Sequence, residues 1–146
     1  MTTKQRKRIL YVLAILYLIS FCLPVASSAE YSLEGTALGF YCAVYVVVLL
    51  VIDLDSGNIQ AIFFDIFLIL PNLLMILTLL FHEKFHPLLK YLFLLIVFLS
   101  AGSWIFTFQS YIYASSLKIG YWLWFISSTS YMLMVALPKE KKVDLP

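Results

Sequence analysis

His82-Glu83-Lys84-Phe85-His86-Pro87 interrupts the apolar run from Ile59 to Phe108 and holds both histidines of the chain. Two readings meet there. As H-E-x-x-H, it is the zinc-protease pattern: histidines one helical turn apart share a face and bind one metal. The glutamate between them then polarises the bound water. As a polar break between apolar segments, it is a turn at a membrane surface. Pro87 favours the turn, because the residue before a proline is pushed away from helical geometry. A catalytic zinc also needs three protein ligands. No third histidine exists, and Asp53, Asp55 and Asp65 are the nearby carboxylates in sequence. The expectation is therefore a hairpin turn and a protein that is not an enzyme. A membrane zinc hydrolase through His82, Glu83 and His86 stays as the remote alternative, and no cofactor is expected.

Outward from this turn, the chain is 63% apolar and 12% charged. Soluble domains run nearer half apolar and a quarter charged. The bilayer is thus the expected solvent, and residues 1–146 form one all-α integral membrane domain. The net charge is +2, and basic residues gather at the two ends: Lys4, Arg6, Lys7 and Arg8, then Lys139, Lys141 and Lys142. Such flanks contact anionic head groups and set orientation. Nucleic acid is not an expected partner, because no basic patch is interleaved with aromatics.

Five apolar segments follow one another: 9–26, 37–52, 59–81, 87–108 and 119–137. The first, preceded by a basic start and followed by Ser27-Ser28-Ala29, reads as a cleavable signal or as a retained first helix. Retention is the expectation, since further membrane segments follow. Residues 27–36 carry Glu30 and Glu34 without Lys or Arg, which suits an outside loop. Asp53-Leu-Asp-Ser-Gly-Asn58 is the strongest turn signal. It lacks the ligand spacing of a calcium loop, because Gly57 stands where a ligand belongs. Pro71 should kink the third segment. Tyr111 and Tyr113, with Tyr121, Trp122 and Trp124, suit the interfacial aromatic belts.

Hydropathy and charge disagree on topology. Five crossings from a cytoplasmic start leave Lys84, Lys90 and the basic tail outside, against the positive-inside tendency. Four crossings put all three inside and misplace Lys118 alone. Four require 37–81 to cross once, with 37–52 re-entrant or interfacial. The expectation is four or five transmembrane helices, with a lean to five.

Within the segments, Gly35, Gly39 and Ala43 recur every four residues, a smooth face where helices approach closely. It is expected to serve helix packing, in the bundle or between chains. Asp65 is the acid inside an apolar segment, and such residues are often functional. It shares a helix face with Asn72 seven residues on. A hydrogen bond to Asn72, or to the hydroxyls of the last two segments, is the structural expectation; a proton relay is the functional one. Ser100, Ser103, Thr107 and Ser110 form one hydroxyl stripe and Ser127–Ser130 a second cluster, both expected as packing contacts. Cys22 and Cys42 lie at similar depth, as free thiols or as a pair.

Tyr17-Leu-Ile-Ser-Phe-Cys-Leu-Pro24 and Gly120-Tyr-Trp-Leu-Trp-Phe-Ile-Ser127 resemble motifs of uncharacterised small polytopic bacterial inner-membrane proteins. In those, Ser-x-x-x-Pro ends the first helix and Gly-Tyr-x-Leu-Trp-x-x-Ser marks the last. Their middle helix often carries Asn-Pro, where this chain has Pro71-Asn72. The resemblance implies a helical fold in the bacterial inner membrane, and carries over no functional residue. Two function classes follow. The first is an accessory or interaction subunit, of scaffold or immunity type, whose partners are the lipid bilayer and another membrane protein or itself. The second is a small transporter or proton-coupled component using Asp65.

Overall fold

A computed structural model describes residues 2–28, 36–111 and 114–138. It contains helices α1 (Thr3–Ser20), α2 (Gly39–Ser56), α3 (Ile59–Phe81), α4 (Pro87–Tyr111) and α5 (Ile119–Ala136). Strands β1 (Pro24–Ser28), β2 (Thr36–Leu38) and β3 (Ala114–Leu117) complete it. The protein is helical, as expected. Two helices, α2 and α3, are long and apolar enough to cross a bilayer. The described part of α4, Pro87–Ser103, is a shorter apolar stretch.

Three boundaries differ from the sequence reading. The first helix stops at Ser20 instead of reaching Ala26, because Pro24 opens a strand. The second runs through Asp53 and Asp55 to Ser56. The fourth reaches Tyr111, and the expected loop at 109–118 contains β3. The sheet itself was not expected. Its order is β2-β1-β3, and both pairings are antiparallel. Its strands are three to five residues long and rich in Ser and Ala, so they show neither the length nor the alternation that marks a strand in sequence.

Local chemistry explains the helix ends. Thr2 and Gln5 form a reciprocal capping box at α1, satisfying two amides that the helix leaves orphaned. Between α2 and α3, Gly57 adopts φ 69°, with its N–H on the Asp53 carbonyl. A Cβ there would meet nothing within 4 Å, so the glycine is used for its left-handed backbone and not for space. Asn58 then caps α3, its Oδ1 accepting from Ala61 N at 3.3 Å. The turn signal at 53–58 is thus one helix C-terminus fused to the next N-terminus. Pro71 lies inside a continuous α3, buried.

Residues 20–25 are the junction of the fold. Their carbonyls accept three bonds from two elements: Gly39 N to Leu23 O (3.1 Å) and Phe40 N to Phe21 O (2.9 Å) from α2, and Lys118 N to Val25 O (2.8 Å) from the start of α5. The orphan amides at the start of α2 meet carbonyls just past the end of α1, so the opposed ends of two helix dipoles abut. Close approach demands glycine at two of these places. A Cβ on Gly39 would lie 2.9 Å from Ser20 O, and one on Gly120 would lie 2.7 Å from Pro24 O.

The helix directions follow from these contacts. Arg6, near the start of α1, donates to the carbonyls of Met134 (2.6 Å) and Leu137 (2.7 Å) at the end of α5. The opposite ends of α1 and α5 meet at 20–25, so the two are antiparallel. Ser100 of α4 donates to the Phe67 carbonyl of α3, at equal distance from the turn between them, so α3 and α4 form an antiparallel hairpin. The end of α4 leads into β3, on the sheet side. The 82–86 turn therefore lies at the same end as Arg6 and Leu137. The start of α3 lies at the sheet end, only Gly57 and Asn58 away from the end of α2. α2 therefore begins beside residues 21–23 and ends beside the start of α3.

Polarity is distributed inside out. Tyr11, Val12, Ile15, Leu18, Tyr41, Val51, Phe63, Leu80 and Leu88 are among many large apolar side chains that are exposed. Ser20, Asp65, Thr78, Ser100, Ser127 and Ser128 are buried among Met75, Val97, Tyr121 and Met132.

Candidate functional site

Three polar centres interrupt the apolar body. The first joins three helices. Asn72 Oδ1 accepts from Tyr17 OH of α1 and from Trp124 Nε1 of α5, each at 2.9 Å. One carbonyl oxygen has two lone pairs, so a single amide satisfies both buried aromatic donors. Pro71 precedes it, and Tyr121 donates to Ala101 O of α4 at 2.8 Å nearby. A cavity of about 30 Å³ adjoins the node, lined by Ser20, Phe21, Cys42, Asn72, Tyr121 and Trp124. That is room for about one water. Tyr17 and Trp124 lie in the two motif stretches, but nothing in the sequence ties either to Asn72. The available signal was chemical: a phenol and an indole in apolar helices need an acceptor.

The second centre is on α2 and α3. Asp65 is 3% exposed. Its Oδ2 is buried without a hydrogen-bond partner among the described residues. Across the hairpin, Asp53 of α2 is near enough to act on it electrostatically. Asp65 and Asn72 do not bond each other: Asn72 serves α1 and α5. The serine clusters do not reach Asp65 either. Ser127 and Ser128 donate to Trp124 O and Phe125 O of their own helix, and Ser103 to Ser100 O. Ser100 donates to a neighbouring helix, at the Phe67 carbonyl of α3. The side chains of Thr107 and Ser110 lie outside the described residues.

The third centre is the 82–87 turn. α3 ends at Phe81 with His82 as its cap, and α4 begins at Pro87. His86 Nδ1 accepts from Leu88 N at 3.3 Å, an N-cap-like contact. Lys84 sits 5.6 Å from the Phe81 ring centre, a cation–π distance. The two histidines thus flank a turn, and the helical spacing that would aim both at one metal is absent. Among the described residues, no three of His, Cys, Asp and Glu come together.

Of the small-residue face, Gly39 is buried against α1 of its own chain, Ala43 is half-buried on the same helix, and Gly35 lies outside the described residues. Cys22 and Cys42 are not bonded to each other; the first is exposed and the second half-buried. No family model matches the chain, and no curated protein or solved structure is significantly similar to it.

Proposed function

We propose that the chain is a multi-pass protein of the bacterial inner membrane with a non-enzymatic role, an accessory subunit that binds another membrane protein. The observation that carries this reading is the inverted polarity. Among the described residues, exposed side chains of the helices are predominantly large and apolar, while Ser20, Asn72, Ser100, Ser127 and Ser128 are turned inward and spent on internal bonds. In water each such side chain forgoes about 1.5–3 kcal/mol of burial free energy, whereas lipid covers them without cost.

The helix directions support a reading with four crossings. α1, α3, α4 and α5 cross, and α2 is an arm that stays in the outer half. Lys4, Lys7, Arg8, Lys84 and Lys90 gather at the end that also holds Leu137, which is the cytoplasmic end by the positive-inside tendency. The part of α1 beyond its basic start, Ile9–Ser20, is about 18 Å long, short of a hydrocarbon core of about 30 Å. β1 continues the chain past Ser20, paired with β2 on one side and β3 on the other.

The surface on offer to a partner is a groove of about 440 Å³ between α4 and α5, lined by Tyr91, Leu94, Leu95, Phe98, Thr129 and Leu133. Thr129 Oγ1 is buried there without a hydrogen-bond partner among the described residues. Reporter fusions after Gly57, His86 and Pro138 test the topology: the first outside and the other two cytoplasmic is the expected result. Photo-crosslinking from Leu95 and Leu133 in intact membranes tests the role. One discrete protein adduct, absent when the probe is at Leu18, is expected; adducts with lipid alone would overturn the accessory reading.

A further inference from the structure

The Asn72 node has a side that its bonds to Tyr17 and Trp124 do not use. We propose that the cavity beside it is a binding site for one ordered water. The Asn72 amide and the Ser20 hydroxyl hold that water, and it joins α3 to α1 where the start of α2 meets them. The site is independent of the accessory role.

The orientation of Asn72 is fixed by its partners. An indole N–H donates and cannot accept, so the atom that meets Trp124 Nε1 at 2.9 Å is the amide oxygen. Tyr17 OH donates to the same atom at 2.9 Å. Nδ2 therefore takes the other branch of the planar amide, with two N–H bonds to place. Among the described residues, the hydrogen bonds of Asn72 are those two, both at Oδ1. Asn72 is half-buried and lines the cavity.

Ser20 lines the same cavity from α1. It is 1% exposed, and its hydroxyl donates to the Tyr17 carbonyl at 2.5 Å. A hydroxyl that spends its hydrogen in this way keeps lone pairs with which to accept. Cys42 of α2 adds a thiol to the lining, a weaker partner.

Size and polarity together select water. A volume of about 30 Å³ admits about one water. Cavities lined by apolar atoms alone stay dry, whereas water settles where about two to four polar groups converge. One water that accepts from Asn72 Nδ2 and donates to Ser20 Oγ meets that condition. It also completes the node. The amide oxygen serves Tyr17 and Trp124, and the nitrogen gains an acceptor at a depth where lipid offers none.

The chain has two asparagines, Asn58 and Asn72, so asparagine-selective nitrogen-15 labelling displays two side-chain amides. Asn58 is exposed and serves as the internal reference. Water-selective NOE and ROE transfer is measured on full-length protein in lipid nanodiscs. The expected result is a dipolar cross-peak from water to the Asn72 amide, with the sign of a water that stays longer than one molecular tumbling time, and no such peak at Asn58. Ala43 also lines the cavity. Ala43→Val fills it and keeps every hydroxyl, so the Asn72 peak should be lost. If that variant fails to fold, Cys42→Leu fills the same space from the neighbouring position. Absence of the dipolar peak in the parent protein overturns the proposal. So does a peak that survives filling, because it would then come from the Tyr17 or Ser20 hydroxyl.

Discussion

α2 and α5 are both 18-residue apolar helices, yet the fold uses them in opposite ways. α5 buries nine of its residues, from Gly120 to Ala136, and touches both α1 and α4. α2 buries two. The difference lies in where the polar atoms go. Along α5, Trp124 and Tyr121 reach to Asn72 and Ala101, and Arg6 closes over its last carbonyls. Along α2, hydrogen bonds hold the ends. Apolar length says that a helix avoids water; it does not say whether protein or lipid covers it. In a bilayer, bonding partners and close backbone approach sort core from periphery, because lipid tails are as apolar as leucine.

Four substitutions would break or sharpen that contrast, read by unfolding in detergent and by amide exchange helix by helix. Gly120→Ala is expected to cost most, about 3 kcal/mol, because its Cβ would stand 2.7 Å from the Pro24 carbonyl. Exchange should rise in α1 and α5 together. Asn72→Leu strands Tyr17 OH and Trp124 N–H and should cost about 2 kcal/mol. Combined with Trp124→Phe, the losses should add to less than their sum, and full additivity would deny the shared node. Arg6→Met removes the cation from the end of α5 and should cost about 1 kcal/mol, with faster exchange confined to the start of α1 and the end of α5. Gly57→Ala strains a left-handed position, costing roughly 1 kcal/mol or slightly less. Its exchange signature should stay in α2 and the first turns of α3. If it spread to α5, the arm would be part of the core.

How much was legible varies by element. α3 reads cleanly at both ends, because Asn58 caps it and the polar 82–86 turn stops it. The 82–87 turn was also correctly weighed on Pro87. The first helix was overrun because its apolar run continues past Ser20 into Pro24 and Val25, and hydropathy cannot separate a strand from a helix in a stretch so short. Gly39 stood out as a small residue at helical spacing, though its need arises from one carbonyl, Ser20 O, that spacing cannot reveal. Asp65 was conspicuous alone. Its electrostatic neighbour Asp53 was assigned to a turn, since the helix continues one turn beyond the last apolar residue.

Composition and period already establish a helical protein suited to a bilayer, with the order of its segments and the position of its hairpin turns, because these rest on the transfer free energy of each side chain and on local backbone preference. The number of crossings does not follow from them. Arg6, the 20–25 carbonyls and the Ser100–Phe67 contact fix which helix ends meet. Those are long-range bonds between groups far apart in the chain. The joining of Asn72 to Tyr17 and Trp124 arises the same way: it is a choice of neighbour, and neighbours exist only once the helices have packed.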